Sequence, residues 1–586
     1  MRGWVPHDEG LIGHSAERIL LGELPHRDFT DVYTGGLAFF HARLFQAFGI
    51  SLAWPRVAVL CFFLASLVAT FYIATRLSRP LPAAALTLLT AAWGLTAYPA
   101  AMPSWYNLYF ALFGTAAIFR HLETNRRRWL TIAGLCAGLS VLVKVSGLYF
   151  VAAVLIFLLF REQSLNPADE TGAEPRRNWY LIFLIAVAAV TAAVLLRTVS
   201  ARLGAAQFVF FVLPGCALAG VVAGRELGRK AQPLRERVNC LLGLVIPFLA
   251  GLAVPIVAFL IPYVRSGSTA ALVRGVFVLP FRRTAFAFVD ATLLSLMFPL
   301  VLFALLIAGA VFRTRIRAVH VVCLALVLFG ALFATGSTPL LYWGLWFSVG
   351  SLSALVVPAG AWQAARMSRD SSPDLRTQQL FMLLCASAFC ELVRFPFSTP
   401  TYFYYVAPLL VLTTTALTTS WRTHGGLLWV LGAFYFAFAV VHDNPISIWQ
   451  TSQYYLLPDL QTHVVHLPRA GGIRGFAYQT AEYERMAALV RQHVRGDYIY
   501  AAPDCPEVYF LTGLRNPTPA LFDFLDEPSG KSERIWQAIQ SHHINLVVID
   551  HDPQFSGPLP AALVQRLVAE FPKYAMSGRF EIRWHR

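Results

Sequence analysis

Residues 54–104 read WPRVAVLCFFLASLVATFYIATRLSRPLPAAALTLLTAAWGLTAYPAAMPS, and the alternation inside this stretch decides the fold. One apolar run closes on Arg76 and Arg79, a second follows them, and the loop after it, YPAAMPS, carries no cation. A helix crosses a bilayer core with about 20 apolar residues, within a range of roughly 17 to 25. The runs at 54–75 and 82–98 therefore predict a helical hairpin through a membrane, basic at its turn and uncharged at its far end.

The same pattern repeats outward from that hairpin. Further spans are predicted near 105–119, 129–143, 146–160, 179–196, 205–223, 239–262, 290–312, 318–335, 339–364, 378–393, 402–419 and 425–441, about fourteen in all by the length criterion. Alternate loops are rich in arginine, from Arg126–Arg128 through Arg176, Arg177, Arg225, Arg235 and Arg313–Arg317 to Arg366 and Arg422, whereas loops such as TGSTP have none. The bias of cations toward the cytoplasmic side orients the first set inward. The N-terminal stretch and everything after residue 441 are then expected outside. One outer segment, residues 264–290, breaks the rule with Arg265, Arg274, Arg282 and Arg283. It reads either as an amphipathic segment gripping an anionic headgroup or as a surface helix with snorkelling arginines.

Composition agrees. The chain has 586 residues, 57% hydrophobic and 13% charged, about half the charged fraction of a soluble protein. The net charge of +15 is spread between apolar runs rather than gathered on one soluble face, which argues against a nucleic-acid partner. The eight cysteines form neither a disulfide framework nor a CxxC zinc pattern. The expected architecture is a mostly α, polytopic membrane protein with three parts: an acidic extracytoplasmic loop over 1–53, a transmembrane domain over 54–441, and a small α/β extracytoplasmic domain over 442–586. In the last part YIYAAPDCPEVYFLTG, WQAIQSHH, NLVVIDHD and RFEIRWHR alternate strand and helix signals. No glycine-rich phosphate loop or nucleophile elbow accompanies them, so this domain is expected to recognise or cap rather than catalyse.

The acidic start, HDEG at His7–Gly10, is the chemically suggestive part. Asp8 and Glu9 diverge by about 100° if helical, so one of them can face a given centre. Such a carboxylate is either a general base or an acid serving a helix N-terminus. His7 and His14 are further titratable groups nearby and, with the acids, the only hint of a divalent cation; no cofactor is otherwise expected.

The run HDEGLIGHSAERILLGELPHRDFTDVYTGGLAFFHARLFQAFG resembles the first outer loop of the GT-C membrane glycosyltransferases, the superfamily of protein O-mannosyltransferases and the lipid A aminoarabinose transferase. SWYN at Ser104–Asn107, Lys144 in GLCAGLSVLVKVSGLYF, Arg394 in LVRFPFSTPTYFYYVAP and Arg515–Thr518 in the C-terminal region extend the likeness. The resemblance implies a GT-C helical fold and a sugar donor carried on a polyprenyl phosphate. It also implies an envelope acceptor bearing a hydroxyl or amine, and an enzyme of the inner (plasma) membrane whose active site faces outward. It assigns Asp8 as catalytic base of an inverting transfer, with Glu9 its neighbour, and matches Asp28, Asp31 and Tyr33 to a second acidic and aromatic stretch.

Sugar hydroxyls are expected at Asp28 and Asp31, with ring stacking and hydrogen bonds at Trp105, Tyr106 and Asn107. The phosphate calls for cations, for which Lys144, Arg282, Arg283 and Arg394 are the outward candidates. Family order places a membrane helix before the acidic loop, so sequence upstream of Met1 is expected. Two other classes fit the membrane domain: a transporter or flippase of lipid-linked sugars, which would show inverted repeats and broken helices, and a non-catalytic scaffold for envelope assembly, indifferent to loss of Asp8.

Overall fold

Helices dominate the chain in a computed structural model, which describes residues 2–165, 179–227, 233–279, 288–335, 337–368, 373–443 and 462–585. The first seven are α1 (Pro6–Leu20), α2 (Gly36–Phe48), α3 (Ala53–Leu77), α4 (Pro80–Ala92), α5 (Pro103–Thr124), α6 (Arg128–Val143) and α7 (Gly147–Leu165). Among the described residues seven helices are long and apolar enough to cross a membrane, including α3, α7, Leu234–Arg265 and Pro339–Met367. Five shorter apolar helices, among them α4, α6 and Gly425–Val441, accompany them. Every expected span contains a helix, yet several are shorter or more polar than an isolated crossing requires. Leu375–Cys390 shows why: nearly all of it is buried by neighbouring helices, so its surroundings are protein and its apolarity is not set by lipid. Elsewhere apolar side chains point outward, with Val68, Leu326 and Phe333 between 69% and 72% exposed, as a lipid-facing surface requires.

Near the arginine-rich ends of the helices a buried ion cluster ties three of them together. Arg237 pairs with Glu162 of α7 and with Glu226 at 3.0 Å, all three at most 2% exposed. Removing one member would strand a buried charge, which makes the cluster a specific lock between helices.

After the last membrane helix comes the α/β unit. Strands β1 (His463–Val464) and β2 (Arg474–Gly475) form a small antiparallel pair. Strands β3 (Tyr500–Ala502), β4 (Leu546–Asp550), β5 (Lys573–Ser577) and β6 (Phe580–Trp584) form a sheet of order β3-β4-β6-β5, parallel only between β3 and β4. The run LVVID is buried at every position, as a strand covered on both faces must be. Val547 and Ile549 pack with the helices Lys531–Ser541 and Ala561–Glu570. Leu546 and Val548 face the opposite core, shared with Trp4, Ala16, Ala42 and Phe45.

The acidic N-terminal stretch is thus sandwiched between the sheet and the membrane helices, and burial explains its two helices. Pro6 in the first turn and Asp8 and Glu9 beside it start α1, while Arg18 closes it, a charge order that complements the helix dipole. Its close approach to the helix Pro506–Thr512 needs Gly10, where a Cβ would lie 2.3 Å from the Glu507 Cα. Of the exceptional outer segment, Arg282 and Arg283 lie outside the described residues. Arg274, on the helix Thr269–Phe277, pairs with Glu527 of the α/β unit at 3.1 Å.

Candidate functional site

Asp8 and Glu9 are separated by their partners. Both Glu9 oxygens accept from the Arg56 guanidinium at 2.6 Å, and Glu9 also accepts from the Val5 N–H at 3.1 Å. Arg56 further donates to the carbonyls of Arg2 and Gly3 at 2.8 Å. The pair is 2–4% exposed. Glu9 therefore has no oxygen left for an acceptor, and its role is to anchor α1 and the N-terminal segment to α3. Asp8, one residue earlier, is 17% exposed with the His7 ring 3.6 Å away. His7 in turn meets the edge of Phe555 from the α/β unit, with centroids 5.6 Å apart.

The charge of Asp8 is felt by a set of phenols. Tyr98, in the loop between α4 and α5, has its hydroxyl pushed well above the ordinary tyrosine range, first by burial and then by the charges of Asp8 and Glu9, with Tyr402 and Tyr33 also acting on it. Asp8 acts on Tyr405 as well. Tyr405 and Tyr402 meet edge to face at 5.7 Å, and Tyr402 leads to Lys144. The Lys144 ammonium lies 5.8 Å from the ring centres of both Tyr402 and Tyr33 and donates to the Ser104 hydroxyl at 3.1 Å. Two aromatic faces hold a cation there by their quadrupoles. Lys144 occupies an extended break at the end of α6. Asn107 holds that break: in the amide orientation that satisfies its neighbours it donates to the Ser140 carbonyl at 3.1 Å and accepts from the Gly147 N–H at 3.1 Å and the Ser146 hydroxyl at 2.7 Å.

A carboxylate from α1, an ammonium from the α6–α7 turn and phenols from three loops thus gather at the end of the bundle opposite the arginine-rich loops. The arrangement brings a carboxylate, an ammonium and phenol hydroxyls together beside aromatic rings.

Several expected site residues do other work. Trp105 and Tyr106 are 0% and 1% exposed. The Trp105 ring is covered by Tyr109 and Tyr405, its N–H donating to the Tyr98 carbonyl at 3.1 Å, and Tyr106 packs against Phe62 and His41. Both rings are covered, Trp105 by contacts that include Tyr98 and Tyr405, and the Asn107 amide is engaged by the α6–α7 turn. Arg394 is 3% exposed, paired with Glu391 and bonded to the Gly350 carbonyl, so its charge is neutralised inside the fold.

Asp28 closes the turn after α1. It accepts from Arg27 and from the Leu24 N–H at 2.7 Å, and the Arg27 bonds hold its carboxyl below the usual range. Asp31 is 2% exposed beneath Tyr33, whose N–H it accepts at 2.9 Å, and burial raises it to about 6. Among the described residues no three His, Cys, Asp or Glu side chains converge as metal ligands; His7 and His14 lie against different partners, Phe555 and Tyr509.

Sequence reasoning did not single out Tyr98, Tyr402, Tyr405 or Arg56. The available signal was the clustering of tyrosines in the uncharged outer loops, YPAAMPS and TPTYFYYV.

No family model and no curated protein matches the chain. Among solved structures it is similar to the oligosaccharyltransferase of Archaeoglobus fulgidus in its apo form, with a TM-score of 0.38 and 13% sequence identity over 93% of this chain and 66% of that one. The chain therefore spans about two thirds of that protein's length.

Proposed function

We propose that this chain is a GT-C membrane glycosyltransferase that moves a sugar from a polyprenyl phosphate to a hydroxyl- or amine-bearing envelope acceptor with inversion, using Asp8 as general base. One observation carries the reading: Asp8 and Lys144, 136 positions apart by their residue numbers, border one group of tyrosines, Asp8 acting on Tyr98 and Tyr405 and Lys144 lying 5.8 Å from the ring centres of Tyr33 and Tyr402. The acceptor's proton passes to Asp8 as its oxygen or nitrogen bonds to the anomeric carbon, and the bond from that carbon to the phosphate oxygen breaks on the opposite face. A phosphate leaves as a stable anion, so no strong acid is needed, and one carboxylate does the work that a pair does in glycoside hydrolysis. Lys144 stabilises the departing phosphate as a point charge, and Ser104 holds the ammonium in place. The phenols beside Asp8 donate to sugar or phosphate oxygens.

The site lies at the end of the bundle away from the arginine-rich loops, and the positive-inside bias puts that end outside the cytoplasm. The α/β unit shares that end and presents Phe555 beside His7, in keeping with a domain that helps to select the acceptor.

The test is transfer by the purified full-length protein from a panel of radiolabelled polyprenyl-phosphate sugars. Asp8→Asn keeps shape and hydrogen bonding but removes basicity, so turnover should fall by something like 10²- to 10⁴-fold with donor binding little changed. Transfer by Asp8→Asn at the wild-type rate would remove Asp8 as the base. Sugar-lipid translocation without transfer would favour a flippase.

A further inference from the structure

A second cavity, of about 240 Å³, opens between the far half of α1 and the α/β unit. At about 30 Å³ per water that is room for roughly eight waters, small for an extended ligand. Nine residues of helix separate Glu17 from Asp8, about 14 Å along the axis, and their side chains point to opposite sides. The cavity is therefore distinct from the tyrosine-lined site while mounted on the same rigid helix.

Its walls are polar but balanced in charge. Glu17 pairs with Arg469 at 2.6 Å, and Arg18 pairs with Glu23 at 2.5 Å while donating to the Thr518 carbonyl at 3.0 Å. Against this neutral background His14 stands out. It lines the cavity and is 3% exposed, yet neither ring nitrogen has a hydrogen-bond partner. The nearest acceptor, the other Glu17 oxygen, is 3.6 Å from Nδ1 and is itself unsatisfied. Burial lowers the His14 imidazole below its ordinary range, so the ring is neutral and has one donor and one acceptor nitrogen. Buried polar groups are rarely left unpaired, and the group nearest to His14 is Glu17, whose carboxylate it steadies on the cavity wall across 3.6 Å.

On the other wall Tyr498 packs against His542 with the rings tilted by 51° and their centroids 4.4 Å apart, and the exposed Arg515 guanidinium lies 5.8 Å from the Tyr498 ring centre. Most wall charges are already paired with one another, so the cavity offers hydrogen bonds more than a net field. A neutral ring bearing hydroxyls finds an aromatic platform, carboxylate acceptors and guanidinium donors.

We infer that this cavity binds a saccharide unit through its hydroxyls, and that in the transfer reaction proposed above it holds a part of the acceptor remote from the reacting group. The inference adds an acceptor class, a glycan, to that reading and rests on it only for its role in transfer.

Binding is tested without turnover, by saturation-transfer NMR on the full-length protein in nanodiscs with methyl glycosides of a hexose, a pentose and an N-acetylhexosamine as probes. At least one probe should give a signal that falls tenfold or more in Tyr498→Ala and in Arg515→Ala and persists in Asp8→Asn. Arg515 is exposed, so its replacement leaves the fold intact. No signal from any probe, or a signal indifferent to both cavity variants, overturns the inference. A signal lost in Asp8→Asn and kept in the cavity variants does so too, because the probe then occupies the tyrosine-lined site. Failure of sugar transfer would leave this readout unchanged, so the two proposals fail separately.

Discussion

Glu9→Gln and Asp8→Asn are nearly identical chemical changes one residue apart, and the structure assigns them opposite consequences. Glu9 accepts two charge-assisted bonds of 2.6 Å from Arg56 in a setting 2–4% exposed. In Glu9→Gln the guanidinium stays buried with the carbonyls of Arg2 and Gly3 and a neutral amide, so its charge is no longer balanced. Breaking a buried pair by removing one partner costs about 3–5 kcal/mol, against a net stability of about 5–15 kcal/mol for a typical domain. Asp8 is more exposed, at 17% against 2% for Glu9, and its loss should cost no more than about 1 kcal/mol, the value of an acid in the first turn of a helix. Equilibrium urea unfolding of the full-length protein in detergent, followed by tryptophan fluorescence, measures both. The double variant Glu9→Met, Arg56→Met should lose less than the two single losses combined, because no charge remains stranded. An unfolding curve for Glu9→Gln that overlays wild type would refute the anchoring role. Equal destabilisation by Asp8→Asn would refute the separation of roles and make its activity loss unreadable as loss of a base.

Lys144→Ala should weaken donor binding through the phosphate by about 1.5–3 kcal/mol, the value of a hydrogen bond to a charged group, read as a raised KM for the polyprenyl-phosphate sugar. Gly10→Val places a side chain where a Cβ already lies 2.3 Å from the Glu507 backbone. It should push the α/β unit off α1 and expose residues 462–585 to limited proteolysis, while Gly220→Val, at a helical glycine whose Cβ would meet nothing within 4 Å, should leave the cleavage pattern unchanged. Burial lifts the carboxyls of Glu507 and Asp550 to about 7 and about 6, against the pull of Arg579. The folded state therefore keeps protons that the unfolded chain releases near pH 4, so this stabilisation is full below about pH 4 and is lost as pH rises through 6 and 7. For Glu507 the swing is of order 3 kcal/mol; the thermal midpoint should fall between pH 5 and 8, and Glu507→Gln should flatten that fall.

Local pattern alone determined a good deal of this protein. Apolar run length placed the membrane helices, arginine alternation separated the two ends of the bundle, and strand and helix signals after residue 441 announced the α/β unit. These features depend on neighbours within about a turn or a strand, which is the range that periodicity and composition report. Asp8 and Lys144 also stood out in the sequence, because a carboxylate beside a membrane segment and a lysine between two apolar helices are chemically conspicuous wherever they finally sit.

Partnership between distant segments was decided only in three dimensions. Nothing local distinguishes Glu9 from Asp8 until Arg56, 47 residues away, takes both Glu9 oxygens. Trp105 and Tyr106 look like surface aromatics until α5 is packed on its neighbours and both rings are covered. Arg394 looks like a free cation until the last turn brings Glu391 and the Gly350 carbonyl against it. The sequence supplies the charges and rings, whereas the cost of leaving a buried charge unpaired selects which of them stay inside the fold.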